Sequence, residues 1–175
     1  MNKKVLSILA TTATLSSTIL PAQALNVDPD HLALGRQISA IGVNFKINPI
    51  ECFENKDSMG WYWSIRNELV VCQENAIKAN VETYWTAEDF DTLRHEAQHL
   101  IQDCMDGEQN GVLGSVYKDP IRLGKEVLGT RDMQGVINAY EGKSDHVITL
   151  EIEAFSVAAL NEPLTQVNDI KHYCM

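Results

Sequence analysis

Basic residues are scarce in this chain: Lys and Arg number 14 against 24 Asp and Glu among 175 residues. No basic patch interrupts the acidic balance, so a nucleic-acid or anionic-lipid partner is excluded on charge, and solubility is favoured. Beyond residue 24 no hydrophobic run approaches the length of a membrane span. No internal repeat, low-complexity tract or inter-domain linker is present, which excludes solenoid and multi-domain arrangements. There is no C-x-x-C pair among the four cysteines, and the five histidines are scattered. A thiolate zinc site and a metal-buffering protein are both disfavoured on those grounds.

Residues 1–24 have the pattern of a secretory leader. Lys3 and Lys4 form a positive start, Val5 to Leu20 is apolar or small and hydroxylated, and Ala22-Gln23-Ala24 is an A-x-A cleavage site. Serines and threonines break up the run and keep it short of a spanning helix. The expected product is periplasmic or secreted, with no membrane attachment after cleavage. Its 151 remaining residues carry 12 basic and 24 acidic side chains, a net charge of −12. That length suits one domain, residues 25–175, with a substantial core. Cys52, Cys72, Cys104 and Cys174 all lie in it. An even number in an exported chain implies two disulfides. Three pairings are possible, of which Cys52–Cys72 with Cys104–Cys174 is favoured.

The stretch with the most chemistry is Thr86 to Cys104, which contains His95-Glu96-Ala97-Gln98-His99. Thr86 and Asp89 form a capping-box-like start, and Glu88 and Asp89 sit where a helix dipole favours negative charge. Phe90, Leu93, Ala97, Leu100 and Cys104 recur at helical spacing on a face away from the histidines. On such a helix, histidines at i and i+4 lie one above the other and can share one metal ion. The intervening Glu can serve as general base toward a metal-bound water. The bland alternative is a surface helix bearing two solvated histidines, but a capped, amphipathic helix with the motif at mid-span is rarer than the bare string.

Asp28 to Ile41 predicts a first helix with Asp28 as cap, Pro29 at its first position and Gly42 after its end. His31, in its first turn, is expected to be solvated. Gly60 to Gln73 predicts a β-hairpin with strand-formers Trp61 to Trp63 and Leu69 to Val71 around a bend at Arg66 to Glu68. The three aromatics are expected to pack in the sheet rather than to cage a ligand. An edge strand there could pair with an extended peptide. Glu108 to Gly114 reads as loop, and helices are expected from Asp119 to Leu128 and from Thr130 to Tyr140. The last strong element is Asp145 to Leu160, apolar around most of its circumference and so expected to be buried.

A catalytic zinc takes three protein ligands and leaves one position open. Glu151 and Glu153 on the last helix are the candidates for the third. At 100° per residue, Glu153 shares the polar arc of Asp145, His146, Thr149 and Ser156, whereas Glu151 shares a face with Val147, Ile148, Ala154, Phe155 and Ala158. A carboxylate on the apolar face is costly unless it binds a metal, so burial favours Glu151. Ala154 and Ala158 would let this helix approach the motif helix closely.

H-E-A-Q-H followed by E-I-E-A-F on a later helix resembles the gluzincin metallopeptidases, zincins whose third ligand is a glutamate. In the HtpX-type peptidases and related minimal zincins, E-x-x-A supplies the ligand from its first Glu, which implies Glu151. The thermolysin-like N-E-A-x-S pattern implies Glu153 instead. Gly129-Thr130-Arg131-Asp132 is similar to the G-T-x-D of aspzincins and makes Asp132 a third candidate. The expected fold is a small zincin-like α+β domain, mostly helical, with a β-hairpin or small antiparallel sheet before the motif helix. The expected activity is hydrolysis of a peptide or protein substrate by zinc held on His95, His99 and Glu151, with Glu96 as base and His146 or Tyr140 as possible donors to the carbonyl. The alternative is a disulfide-stabilised secreted binding protein on the same scaffold. Oligomeric state and side-chain preference are not legible in the chain.

Overall fold

Thr86 does cap the motif helix: its side chain accepts from the Asp89 amide at 3.2 Å, and Asp89 accepts from the Thr86 amide at 2.7 Å. From that cap α4 runs unbroken over Ala87–Asp103, and two strands before it and two helices after it pack against it. The structure, a computed structural model, describes residues 27–79, 84–105 and 109–175. The expected leader and its cleavage site lie outside the described residues.

Before α4 come α1 (Pro29–Ala40), β1 (Asn44–Ile47), α2 (Ile50–Glu54), β2 (Gly60–Trp63), β3 (Glu68–Val71) and α3 (Glu74–Ala79). After it come α5 (Pro120–Val127), α6 (Gly129–Ala139), α7 (Asp145–Leu160) and α8 (Pro163–Tyr173). This is a mostly helical α+β domain with one small sheet. As expected, Asp28 caps α1 and Asp119 caps α5; Gly129 (φ +73°) follows the end of α5 and opens α6. Among the described residues no helix is long and apolar enough to cross a membrane.

The hairpin forms at the expected place. β2 and β3 pair antiparallel in the register Trp61↔Val70 and Tyr62↔Leu69, turning through Ser64–Arg66 and a left-handed Asn67 (φ +48°). The sheet is nevertheless mixed rather than antiparallel, because β1 adds parallel to β3 and makes β3 the central strand. Beyond the end of that pairing, the Asn48 amide donates to Gln73 and accepts the Gln73 backbone N–H, at 2.8 and 2.7 Å. β2 is left as an edge beside α4.

The main core joins Leu34 and Ile38 of α1, Leu69 and Val71 of β3, Leu93, Ala97, Leu100 and Ile101 of α4, and Val167 and Ile170 of α8. Each large aliphatic side chain buried there contributes about 1.5–3 kcal/mol. A second cluster, Met133, Val136 and Ile152, holds α6 against α7. Both favoured disulfides are present, Cys52–Cys72 and Cys104–Cys174.

Two expectations are corrected here. The chain does not end its ordered elements at α7: α8 follows, opening on Pro163 and burying Val167 and Ile170. Nor is His31 solvated. Only 6% exposed, it is held between the Asp28 carboxylate on Nδ1 and the Arg94 guanidinium on Nε2. Burial pushes its pKa down against the opposing pull of Asp28. Arg94, projecting from α4 toward α1 and α7, donates through Nε to the Ala158 carbonyl at 2.8 Å.

Candidate metal centre

His95 and His99 lie on the buried side of α4 that meets α7. Ala154 and Ala158 are buried on α7; small side chains there permit a close helix–helix approach. The two imidazoles converge, with their Nε2 atoms 3.1 Å apart. Glu151 projects from α7 into the same point, its Oε2 lying 3.4 Å from the His95 Nε2 and 3.5 Å from the His99 Nε2. Among the described residues these three form a group whose donor atoms could hold one metal ion.

The edges of that triangle decide what it fits. Bonds of about 2.0–2.1 Å in a tetrahedral zinc site place neighbouring donor atoms about 3.3 Å apart. The observed separations of 3.1, 3.4 and 3.5 Å bracket this value. Glu151 Oε2 is also buried without a hydrogen bond of normal geometry. A buried carboxylate oxygen left so is costly unless it meets a cation. Two imidazole nitrogens and a carboxylate oxygen are a donor set suited to zinc.

Electrostatics at the cluster follow from burial and mutual contact. Burial alone would raise the Glu151 carboxyl, but the two imidazoles facing it outweigh that and hold it far below the usual carboxylate range. Burial likewise opposes protonation of His99, yet Glu151 and Glu96 raise its pKa to about 9. Glu96 is pushed up by burial and by the neighbouring Glu151 charge, against the pull of both histidines and of the nearby Tyr62 backbone N–H. Tyr140, at the end of α6, has its hydroxyl pushed far up by burial and by the neighbouring Glu151 charge.

Burial of the two α7 glutamates is the reverse of that expected from the sequence. Glu153 is the fully enclosed acid, at 0% exposure, while Glu151 is half-buried. The arc that looked solvent-facing instead meets α4 and the 115–117 segment. Glu153 accepts from the Gln98 and Gln102 amides at 2.9 and 3.0 Å, from the Ser115 hydroxyl, and from the Val116 and Tyr117 backbone N–H groups at 3.1 and 3.0 Å. Five donors satisfy it where it stands, outside the triangle. Asp132 also stays outside, lining a separate cavity with Leu128, Val136 and Phe155. His146 is spent on the Leu113 carbonyl at 3.0 Å, on the wall of the cleft.

That cleft has two lobes, of about 350 and 330 Å³, which share His99, Gly111, Leu113 and Glu151. One runs along β2 and its turn, past Tyr62 to Ile65; the other runs along the start of α7, past Val147 and Leu150. Trp63, Ile65 and Val112 are exposed apolar side chains bordering it. Buried Asp103 ties two of its walls together, accepting from the Tyr62 hydroxyl at 2.7 Å and from the Gly111 backbone N–H at 2.6 Å. Residue-level reading missed Asp103, Gln102 and Phe155, whose ring lies 4.3 Å from that of His95. For Gln102 a signal existed: a glutamine three residues after His99 returns to the same helix face.

The chain belongs to the family of the domain of unknown function DUF8637, whose model matches residues 24–175. No curated protein and no solved structure matches it.

Proposed function

We propose that this protein is an exported zinc-dependent peptidase, with His95, His99 and Glu151 as metal ligands and Glu96 as general base. The observation that carries the proposal is the triangle of donor atoms, whose three separations suit one tetrahedral ion and whose buried carboxylate oxygen has no other partner. Two disulfides fit an oxidising destination, in keeping with the leader expected from residues 1–24.

Zinc bound there would lower the pKa of a coordinated water toward neutrality and polarise a substrate carbonyl. The chain's own residues do the rest. Glu96 takes the proton from the attacking water and returns it to the departing amine. Burial and the neighbouring Glu151 charge raise the Glu96 pKa above the ordinary carboxylate value, which suits a proton acceptor. Tyr140 stays protonated beside Glu151. β2 is an edge strand with no second strand partner among the described residues, and an extended peptide would lie beside it along the lobe from Tyr62 to Ile65 and cross the cluster. The apolar rim favours substrates with apolar side chains.

Metal content decides the matter. Wild type, Glu151→Ala and Glu153→Gln are purified in oxidised form, equilibrated with zinc and analysed for bound metal. One zinc per chain in wild type and Glu153→Gln, lost in Glu151→Ala, is the expected result. A wild-type chain that retains no zinc would overturn the assignment.

A further inference from the structure

The two histidines of the cluster are not held alike. His95 Nδ1 is buried and makes no hydrogen bond among the described residues. His99 Nδ1 lies 2.8 Å from Gln102 Oε1. Gln102 is itself completely buried, and its Nε2 meets the Leu150 carbonyl and the Glu153 carboxylate, each at 3.0 Å. The Leu150 carbonyl can only accept. The amide therefore cannot be turned over: its nitrogen must face Leu150 and Glu153, and its oxygen must face His99. An oxygen there obliges Nδ1 to be the protonated nitrogen of the ring. In the neutral ring that binds a metal, the remaining nitrogen, Nε2, presents its lone pair to the point where His95 and Glu151 converge. Glu153 is in turn anchored by the 115–117 backbone and by Gln98, so the chain of constraint ends in a rigid, fully satisfied carboxylate.

We infer that Gln102, fixed by Glu153, is a positioning residue that sets the tautomer and ring orientation of His99 for metal binding. The inference rests on the metal reading above and deepens it. The adjacent E-x-E carboxylates thereby divide their work: Glu151 meets the ion, and Glu153 acts on it through two side chains. Partners of this kind typically contribute 10- to 100-fold to metal affinity.

The test compares zinc affinity, by competition with a chromogenic chelator, in wild type, Gln102→Leu and Gln98→Leu. Gln98 is buried and donates to the same Glu153 oxygen at 2.9 Å, but its amide makes no hydrogen bond to a histidine. Both variants lose a buried bond to Glu153, so a general loosening of the fold weakens both. The expected result is a loss of about 10- to 100-fold in Gln102→Leu and a loss under about threefold in Gln98→Leu. Equal affinities in wild type and Gln102→Leu would overturn the inference while leaving the metal site standing. A wild type that binds no zinc would overturn both, and is distinguished by that very failure. Nitrogen-15 correlation spectra of zinc-loaded wild type supply a readout that needs no variant. A proton on His99 Nδ1 with zinc on Nε2 is expected, and zinc on Nδ1 would refute the inference.

Discussion

At the scale of single residues, the site separates carboxylates that the sequence alone treats as equals. Glu96, Glu151 and Glu153 are all glutamates on two packed helices, yet one is pushed up by burial, one is pulled down by two imidazoles, and one is enclosed by five donors. For Glu96→Gln the side chain keeps its shape and loses its basicity. Zinc content should stay at the wild-type level while peptide hydrolysis falls about 100- to 10,000-fold, the usual worth of a positioned acid–base group. Retained turnover in a zinc-loaded Glu96→Gln preparation would remove Glu96 from the mechanism. A second prediction concerns Glu68, far from the chemistry. The Lys46 ammonium bonded to its carboxylate, with help from the Trp61 indole N–H, outweighs burial and holds its pKa below the ordinary 4.5. A group whose folded pKa is depressed adds stability above its unfolded pKa and loses it as pH falls through the folded value. Thermal unfolding should therefore show stability dropping below about pH 4.5, and Glu68→Gln should flatten that part of the profile. Equal acid sensitivity in the two proteins would dismiss the ion pair as a contributor.

At the scale of elements, the position of β2 against α4 turns on one glycine. A Cβ at Gly60 would lie 2.6 Å from the Val70 carbonyl oxygen and 2.7 Å from Thr92 Cγ2, with Glu96 Cγ at 3.4 Å. Backbone on one side and a β-branched side chain on the other leave little room to yield. Gly60→Ala should cost about 1–3 kcal/mol of stability and move the Tyr62 N–H away from Glu96. Turnover should then fall with zinc still bound, and unchanged kinetics would show that the strand does not orient the base. The elements themselves differ in how legible they were. α1, α4, α5 and α7 announce themselves by Asp28, Thr86, Asp119 and the long apolar run after Ser144, because caps and periodicity are local properties. β1 does not: four residues, Asn44–Ile47, take their strand conformation from a parallel partner more than twenty positions away. α8 carried a readable Pro163 and a Val167–Ile170 stripe, but only docking on α1 and α4 makes that short stripe meaningful. Glu153 failed for the same reason in reverse. Helical geometry correctly put it on the polar arc of α7, and no local rule says that Gln98, Gln102 and the 115–117 backbone will cover that arc.

At the scale of the whole molecule, the two disulfides staple the parts that flank α4. Cys52–Cys72 spans 20 residues and ties α2 to the end of β3; Cys104–Cys174 spans 70 and ties the end of α4 to the end of α8. Loop-closure entropy assigns about 3 kcal/mol to the shorter bridge and about 4 kcal/mol to the longer. Their consequences for the site should differ more than these figures. The longer bridge anchors α8, whose Gln166 side chain donates to the Arg94 carbonyl at 2.7 Å, one residue before His95. Arg94 also carries the bond to Ala158 that joins α4 to α7. Loosening α8 thus loosens the helix pair on which the donor triangle is built. The shorter bridge packs with Val70 and Trp61 in a cluster separate from the main core. Replacing Cys104 and Cys174 together by serine should therefore lower both the melting temperature and zinc affinity. Replacing Cys52 and Cys72 should lower the melting temperature by a comparable amount with zinc affinity nearly unchanged. Paired calorimetry and chelator competition on the two double variants would measure this. Equal losses of affinity would mean that the triangle depends on global stability rather than on the α4–α7–α8 frame.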